Sequence, residues 1–217
     1  FAYFLLPGTL LLYGVNDWAY RDTDRANPKK ADREARYEGD RLLPAAVIAC
    51  AVLGLALAFA TSKPASWWVV LFLALALAYS VPPIRLKARP ILDSVSNGLY
   101  ITPGLAAYAA VGGGSPAIAA VAGAWLWSAA MHTFSAIPDI EHDRQAGLRT
   151  TAVELGRSGA LTYCAAAWGA AAIAWGLAHP LLGVTFAVYP IGLLALASAR
   201  VDLKRAYWWY PWVNVGV

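Results

Sequence analysis

Residues 43–61, LPAAVIACAVLGLALAFAT, and residues 66–82, SWWVVLFLALALAYSVP, are two apolar runs separated by four residues, with Lys63 the single charge between Arg41 and Arg85. Each run has about the length a helix needs to cross a hydrocarbon layer roughly 30 Å thick. They are too long and too little punctuated for membrane strands, so helices must satisfy their backbones. Similar stretches lie near 1–16, 92–111, 116–137, 160–178 and 181–199, making seven expected spans, and an eighth starts around Trp208. Pro7, Gly8, Pro103 and Gly104 fall inside these spans, where membrane helices tolerate them as kinks. Trp67, Trp68, Tyr79, Trp208, Trp209 and Tyr210 gather near span ends, as interfacial aromatic belts do.

Composition agrees with that reading. The 217 residues are 59% apolar and 14% charged, too poor in charge for the surface of a soluble domain. The +4 net charge hints at an acidic partner such as nucleic acid until the charges are placed. Of the 17 basic residues, 16 fall in alternate loops, and Lys63 alone lies on the opposite side. The positive-inside rule makes the charged face cytoplasmic. All 13 acidic residues share that face, so the basic loops are nearly balanced and nucleic acid is not expected as a partner. The expected fold is all-α, a transmembrane helix bundle forming one domain over 1–217. It is expected to lack an N-terminal helix and the end of the last one. Cys50 and Cys164 sit in apolar runs and read as small buried hydrophobes.

Two acidic clusters end expected helices on the charged face. The first is Asn16-Asp17-Trp18-Ala19-Tyr20-Arg21-Asp22-Thr23-Asp24 and the second Asp139-Ile140-Glu141-His142-Asp143. On a continuous helix Asp17 and Asp24 lie about 20° apart around the axis. Asp139 and Asp143, four apart, also share a face. Either pair is costly unless a cation sits there, and oxygen donors suit Mg²⁺. The competing reading, helix-end acids balanced by arginines, is more natural for one pair than for two. Between the clusters, Tyr79-Ser80-Val81-Pro82-Pro83-Ile84-Arg85-Leu86-Lys87-Ala88-Arg89-Pro90 combines helix-stopping prolines with alternating cations. It reads as a diphosphate clamp or as a plain cytoplasmic loop.

Taken together, these segments resemble the UbiA superfamily of intramembrane prenyltransferases. Its first motif, Asn-Asp-x-x-Asp-x-x-x-Asp, is matched by Asn16, Asp17 and Asp24, its second by Asp139 and Asp143, and its Tyr-Ser-x-Pro-Pro loop by Tyr79 onward. Residues 147–156, GLRTTAVELG, also read like the stretch that follows the second motif. The one departure is Tyr20, where the family has an aspartate. Asp22 lies about 140° around a helix from Asp17 and substitutes only if the helix has unwound. Segments 24–30 and 85–100 look most like the lycopene elongase branch.

The resemblance implies Mg²⁺ held by Asn16, Asp17, Asp24, Asp139 and Asp143. It assigns the diphosphate to Asn16, Tyr79, Arg85, Lys87 and Arg149, with help from Lys30. The implied donor is an allylic prenyl diphosphate such as dimethylallyl diphosphate. The implied acceptor is lipophilic: lycopene, or alternatively an aromatic, quinone-precursor or glycerol-phosphate compound. Tyr13, Tyr20, Tyr100, Tyr108 and Trp125 are candidates to face an allylic cation, though ordinary packing explains each. A transporter or lipid-binding protein is the rival of another class. Transporters place ionisable groups near mid-membrane, whereas here only His132 lies away from the span ends, and then not far. His132 reads as a hydrogen-bonding residue between helices.

Overall fold

The computed structural model describes residues 1–25, 39, 41–198, 202–203, 206 and 209–216, with only the backbone for 20–25. Among them every regular element is helical. The helices are α1 (Ala2–Leu5), α2 (Pro7–Arg25), α3 (Leu42–Ala60), α4 (Lys63–Ser80), α5 (Leu92–Val95), α6 (Thr102–Tyr108), α7 (Ile118–Ala136), α8 (Ile140–Gln145), α9 (Thr151–Ala178), α10 (Pro180–Phe186), α11 (Val188–Ser198) and α12 (Tyr210–Gly216). Among the described residues four stretches are long and apolar enough to cross a membrane: Leu42–Ala60, Lys63–Ser80, Thr151–Ala178 and Pro180–Ser198. The chain falls into two compact units, Phe1–Leu86 with Thr102–Ser115, and Lys87–Ile101 with Pro116–Val217.

In the first unit α2, α3 and α4 pack on one another and α6 lies on α4. The buried stripe of α3 is Val47, Cys50, Gly54 and Ala58, spaced three or four apart and made largely of small residues. Helices without a hydrophobic driving force between them approach closely through such residues. Tyr3 takes up the space above Gly54, and its hydroxyl donates to the Cys50 carbonyl at 3.0 Å. The outward face carries Val52, Leu53, Leu55 and Phe59, the last 91% exposed. A helix apolar all round belongs in lipid or in a large core.

The second unit is built on α7 against α9, with α10 and α11 also on α9. Ala160, Cys164, Ala167 and Ala171 form the buried face of α9. Phe134, Trp168, Tyr189 and Tyr210 make an aromatic core, with Trp168 and Tyr210 stacked at 5.5 Å between centroids. Both cysteines are free and buried, as expected. Gly156 bends α9 with φ +65° and ψ 174°, values closed to residues with a Cβ.

Three expected spans are not single helices: 1–16 is divided between α1 and α2, 181–199 between α10 and α11, and 92–111 is the most broken. It is α5, a 3₁₀ segment (Ser96–Ile101), α6 and a π turn (Ala109–Gly113). Pro103 removes an amide donor, Gly112 takes φ +91°, and the backbone groups freed by the break need partners. Irregular backbone at membrane depth survives only when protein satisfies it. Here α7 does so. Trp125 Nε1 donates to Val95 O at 2.8 Å and Ser128 Oγ to Asn97 O at 2.7 Å, while Ser94 Oγ donates back to the Ala129 carbonyl of α7 at 2.8 Å. Ser94 has one proton, so Tyr163 (2.8 Å) and Thr133 (2.9 Å) must donate to its two lone pairs. Trp125→Phe removes the bond to Val95 O and part of the ring packed over Gly98. It is expected to destabilise by about 1–2 kcal/mol, seen as a modest fall in the melting midpoint of detergent-solubilised protein.

Candidate active site

Each unit carries one acidic cluster. In the first, Asn16 and Asp17 are half-buried near the charged end of α2, just past the sealed Leu11 and Val15. The backbone stays helical to Arg25, so Asp17 and Asp24 keep their helical spacing and Asp22 is not swung onto the Asp17 face. The side chains of Tyr20 and Asp24 lie outside the described residues, as do Lys29 and Lys30 entirely. Buried Ser80 ends α4 and donates to Asn16 Oδ1 at 3.4 Å. The start of the Tyr79-to-Pro83 loop is thereby tied to the first acidic motif.

That loop is shaped by its sequence. Val81 N–H still bonds back to Leu77 O, then Pro82 and Pro83 stop the helix. Arg85 N–H returns to Val81 O at 3.0 Å with Arg85 at φ +44°. Arg85 and Lys87 are half-buried, Lys87 inside a 3₁₀ turn (Leu86–Ala88). Ile91 closes the loop at φ +70°, a costly conformation for a β-branched residue. Its N–H is held by Thr151 Oγ1 at 2.7 Å.

In the second unit α7 runs into a 3₁₀ turn (Ile137–Asp139) and then α8. Pro138 sits where a helix start needs no amide donor. Asp139 ends the turn and Asp143 follows in the first turn of α8, both half-buried. Ile137 and Ile140 point into the core and hold the motif against α9. Glu141 faces away, bonded to Arg144 at 2.9 Å and Gln145 at 2.8 Å. His142 Nδ1 lies 3.8 Å from Asp143 Oδ1. Arg149 pairs with Glu154 at 3.1 Å with both side chains well exposed, a pair weak enough to yield to a diphosphate.

Among the described residues no three of His, Cys, Asp and Glu converge on one point. The donors that each described cluster offers are one or two carboxylates with an amide oxygen beside one of them. That set fits Mg²⁺, which keeps several waters and shares itself with substrate phosphates. It does not fit a closed structural metal site.

Of the aromatic candidates, Trp125 is spent on Val95 O, while Tyr13, Tyr100 and Tyr108 are each about half exposed. One group escaped the sequence reading. Asp93 is 1% exposed and accepts from Thr151 N–H at 2.9 Å and from the Thr151 hydroxyl. Its carbonyl takes Asn97 Nδ2 at 2.6 Å, and its Oδ2 lies 3.8 Å from His132 Nε2. The signal was there: an acid just inside an apolar run, with Asn97 one turn on and a Thr-Thr helix start at 150–151 able to reach it.

The UbiA prenyltransferase family model matches residues 1–209. The lycopene elongase/hydratase of Haloferax volcanii is 54% identical over all of this chain and 72% of its own length. A UbiA homologue from Archaeoglobus fulgidus, solved with GPP and Mg²⁺, superposes with a TM-score of 0.75 at 23% identity, over 91% of this chain and 76% of that one. The apo UbiA homologue from Aeropyrum pernix gives 0.71 at 26% identity, over 93% and 79%.

Proposed function

Because the chain belongs to the UbiA prenyltransferase family, we propose that it transfers dimethylallyl groups to the ends of lycopene, with its active face on the cytoplasmic side. The chain is an integral-membrane prenyltransferase with an all-helical fold. What supports lycopene as acceptor is the 54% identity, over the whole chain, to a lycopene elongase/hydratase. What supports a short allylic diphosphate with Mg²⁺ is that solved UbiA homologues were captured with DMAPP or GPP and that ion. The cytoplasmic orientation is supported by 16 of 17 basic residues in alternate loops.

In this reading Asn16, Asp17 and Asp24 serve one Mg²⁺ group, and Asp139 and Asp143 the other. The bound ions would offset the diphosphate charge so that it departs as a stable anion. Arg85 and Lys87 add fixed cations to the leaving group, and Arg149 joins them by exchanging Glu154 for phosphate oxygen. Tyr79 donates its hydroxyl to the same group. Cleavage of the C–O bond leaves an allylic cation, which the terminal double bond of a carotene attacks without prior deprotonation. Apolar walls keep out the water that would quench that cation.

Expression in a lycopene-producing host, followed by pigment mass, tests the acceptor. Lycopene carrying one or two added C5 units is the expected result. Unchanged lycopene beside a prenylated quinone precursor overturns it.

A further inference from the structure

Addition of an allylic cation to an alkene does not end the reaction. The positive charge moves to the acceptor, and that second cation must shed a proton or take up water. Either outcome releases one proton within an apolar span, where few groups can receive it.

We infer that His132, oriented by Asp93, is the base that takes this proton; the inference rests on the prenyl-transfer reading above. His132 lies on α7, seven residues before Asp139, so two helical turns or roughly 10–12 Å separate them along the axis. The acceptor bonds the carbon that carried the diphosphate, so with a diphosphate held at Asp139 the acceptor's cation forms on the membrane side of that group, along α7 toward His132. Its imidazole is 21% exposed, while the neighbouring Asp93 carboxylate is sealed at 1%. The carboxylate cannot swing away, because the Thr151 amide and hydroxyl hold both of its oxygens, and the Ile91 amide holds that hydroxyl in turn. His132 Nε2 lies 3.8 Å from Asp93 Oδ2, within range for the carboxylate to stabilise an imidazolium. An ionisable pair set in an apolar span is costly, and function is the usual reason one is kept there.

The step balances in both branches. In one, a C–H bond next to the cation breaks, its electron pair becomes the new double bond, and the proton goes to neutral His132. In the other, water forms the C–O bond and His132 takes the proton lost from that oxygen. Asp93 carries the countercharge, and the imidazolium returns the proton to the departing diphosphate or to bulk water. Asp93 is a positioning residue; His132 is the group that meets the reacting atoms.

The test uses the full chain in lipid nanodiscs with Mg²⁺, dimethylallyl diphosphate and lycopene. It reads C5 incorporation and the ratio of water-added to unsaturated product ends. His132→Gln is expected to lower incorporation by about a hundredfold and to shift the end ratio severalfold. Asp93→Asn is expected to shift the ratio the same way with a smaller loss. Ser128→Ala, a packing control on the Asn97 carbonyl, lowers the melting midpoint and leaves the ratio alone. If His132→Gln melts like wild type and keeps both rate and ratio, the proton goes elsewhere and the inference is wrong. If His132→Gln does not fold, an unshifted ratio in Asp93→Asn overturns it equally. Wild-type diphosphate consumption without prenylated lycopene sinks the acceptor reading and this one with it. A prenylating wild type with indifferent variants sinks this one alone.

Discussion

Asp139→Ala is expected to cut Mg²⁺-dependent prenyl transfer by three orders of magnitude or about that, with membrane insertion and melting behaviour close to wild type. Removing a single preorganised stabiliser of a developing anion costs about 10²–10³ in turnover. Here the lost group is also a proposed metal ligand, so the upper end applies. Asp139 is half-buried at the end of the 3₁₀ turn, where Ile137 and Ile140 pack the motif into the core. Removing the charge therefore leaves the packing in place. Asp17→Ala is expected to behave alike, and the double variant to be little worse than either, because residues acting as one unit are not additive. An Mg²⁺ titration of C5 incorporation checks this. More than a tenth of wild-type turnover in either single variant removes the two-cluster assignment.

Gly98→Ala is expected to be among the most damaging small substitutions in the protein. A Cβ at this position falls within the Trp125 indole, well inside any allowed approach. The ring cannot simply tilt, because its Nε1–H is committed to Val95 O at 2.8 Å. Overpacking costs about 1–3 kcal/mol, and the orphaned carbonyl a similar amount. Together they remove a large part of the margin of an ordinary fold. The melting midpoint of the solubilised protein and its yield in membranes both report the loss. Combining Gly98→Ala with Trp125→Ala should recover much of it, since the two share one contact. A wild-type midpoint for Gly98→Ala contradicts the close approach.

Much of this architecture could be read before any coordinates. Residues 43–61 and 66–82 are apolar on every face, so length alone marks them as spans, and they fold as α3 and α4. The Asp139–Asp143 pair was visible because two acids four apart at the end of an apolar run leave few interpretations. Residues 92–111 failed as a single helix for a different reason. Their apolar content is that of a span, but the break goes with Ile91 in a left-handed conformation just before it and with Trp125 and Ser128 of α7, which satisfy the Val95 and Asn97 carbonyls. Those are tertiary facts that periodicity does not encode. Asp93 was overlooked on the same account: its partners lie 39 and 58 positions away, at His132 and Thr151. Arg149 is given to the diphosphate by the family resemblance alone, and in the structure its resting partner is Glu154.

The first compact unit is discontinuous: it takes Thr102–Ser115 from beyond a segment that belongs to the second. On the ribosome, therefore, α1 to α4 emerge before the unit they build can close. The missing strand of chain arrives only after Lys87–Ile101 has been made, and that insert in turn waits for α7 to be synthesised. Neither unit is a module that can be finished first and set aside. Domain-by-domain folding, the usual protection of larger proteins against misassembly, is not open to this chain. The membrane-length helices α3 and α4 must instead wait in the bilayer as part of an unfinished unit until the later segments have followed them in.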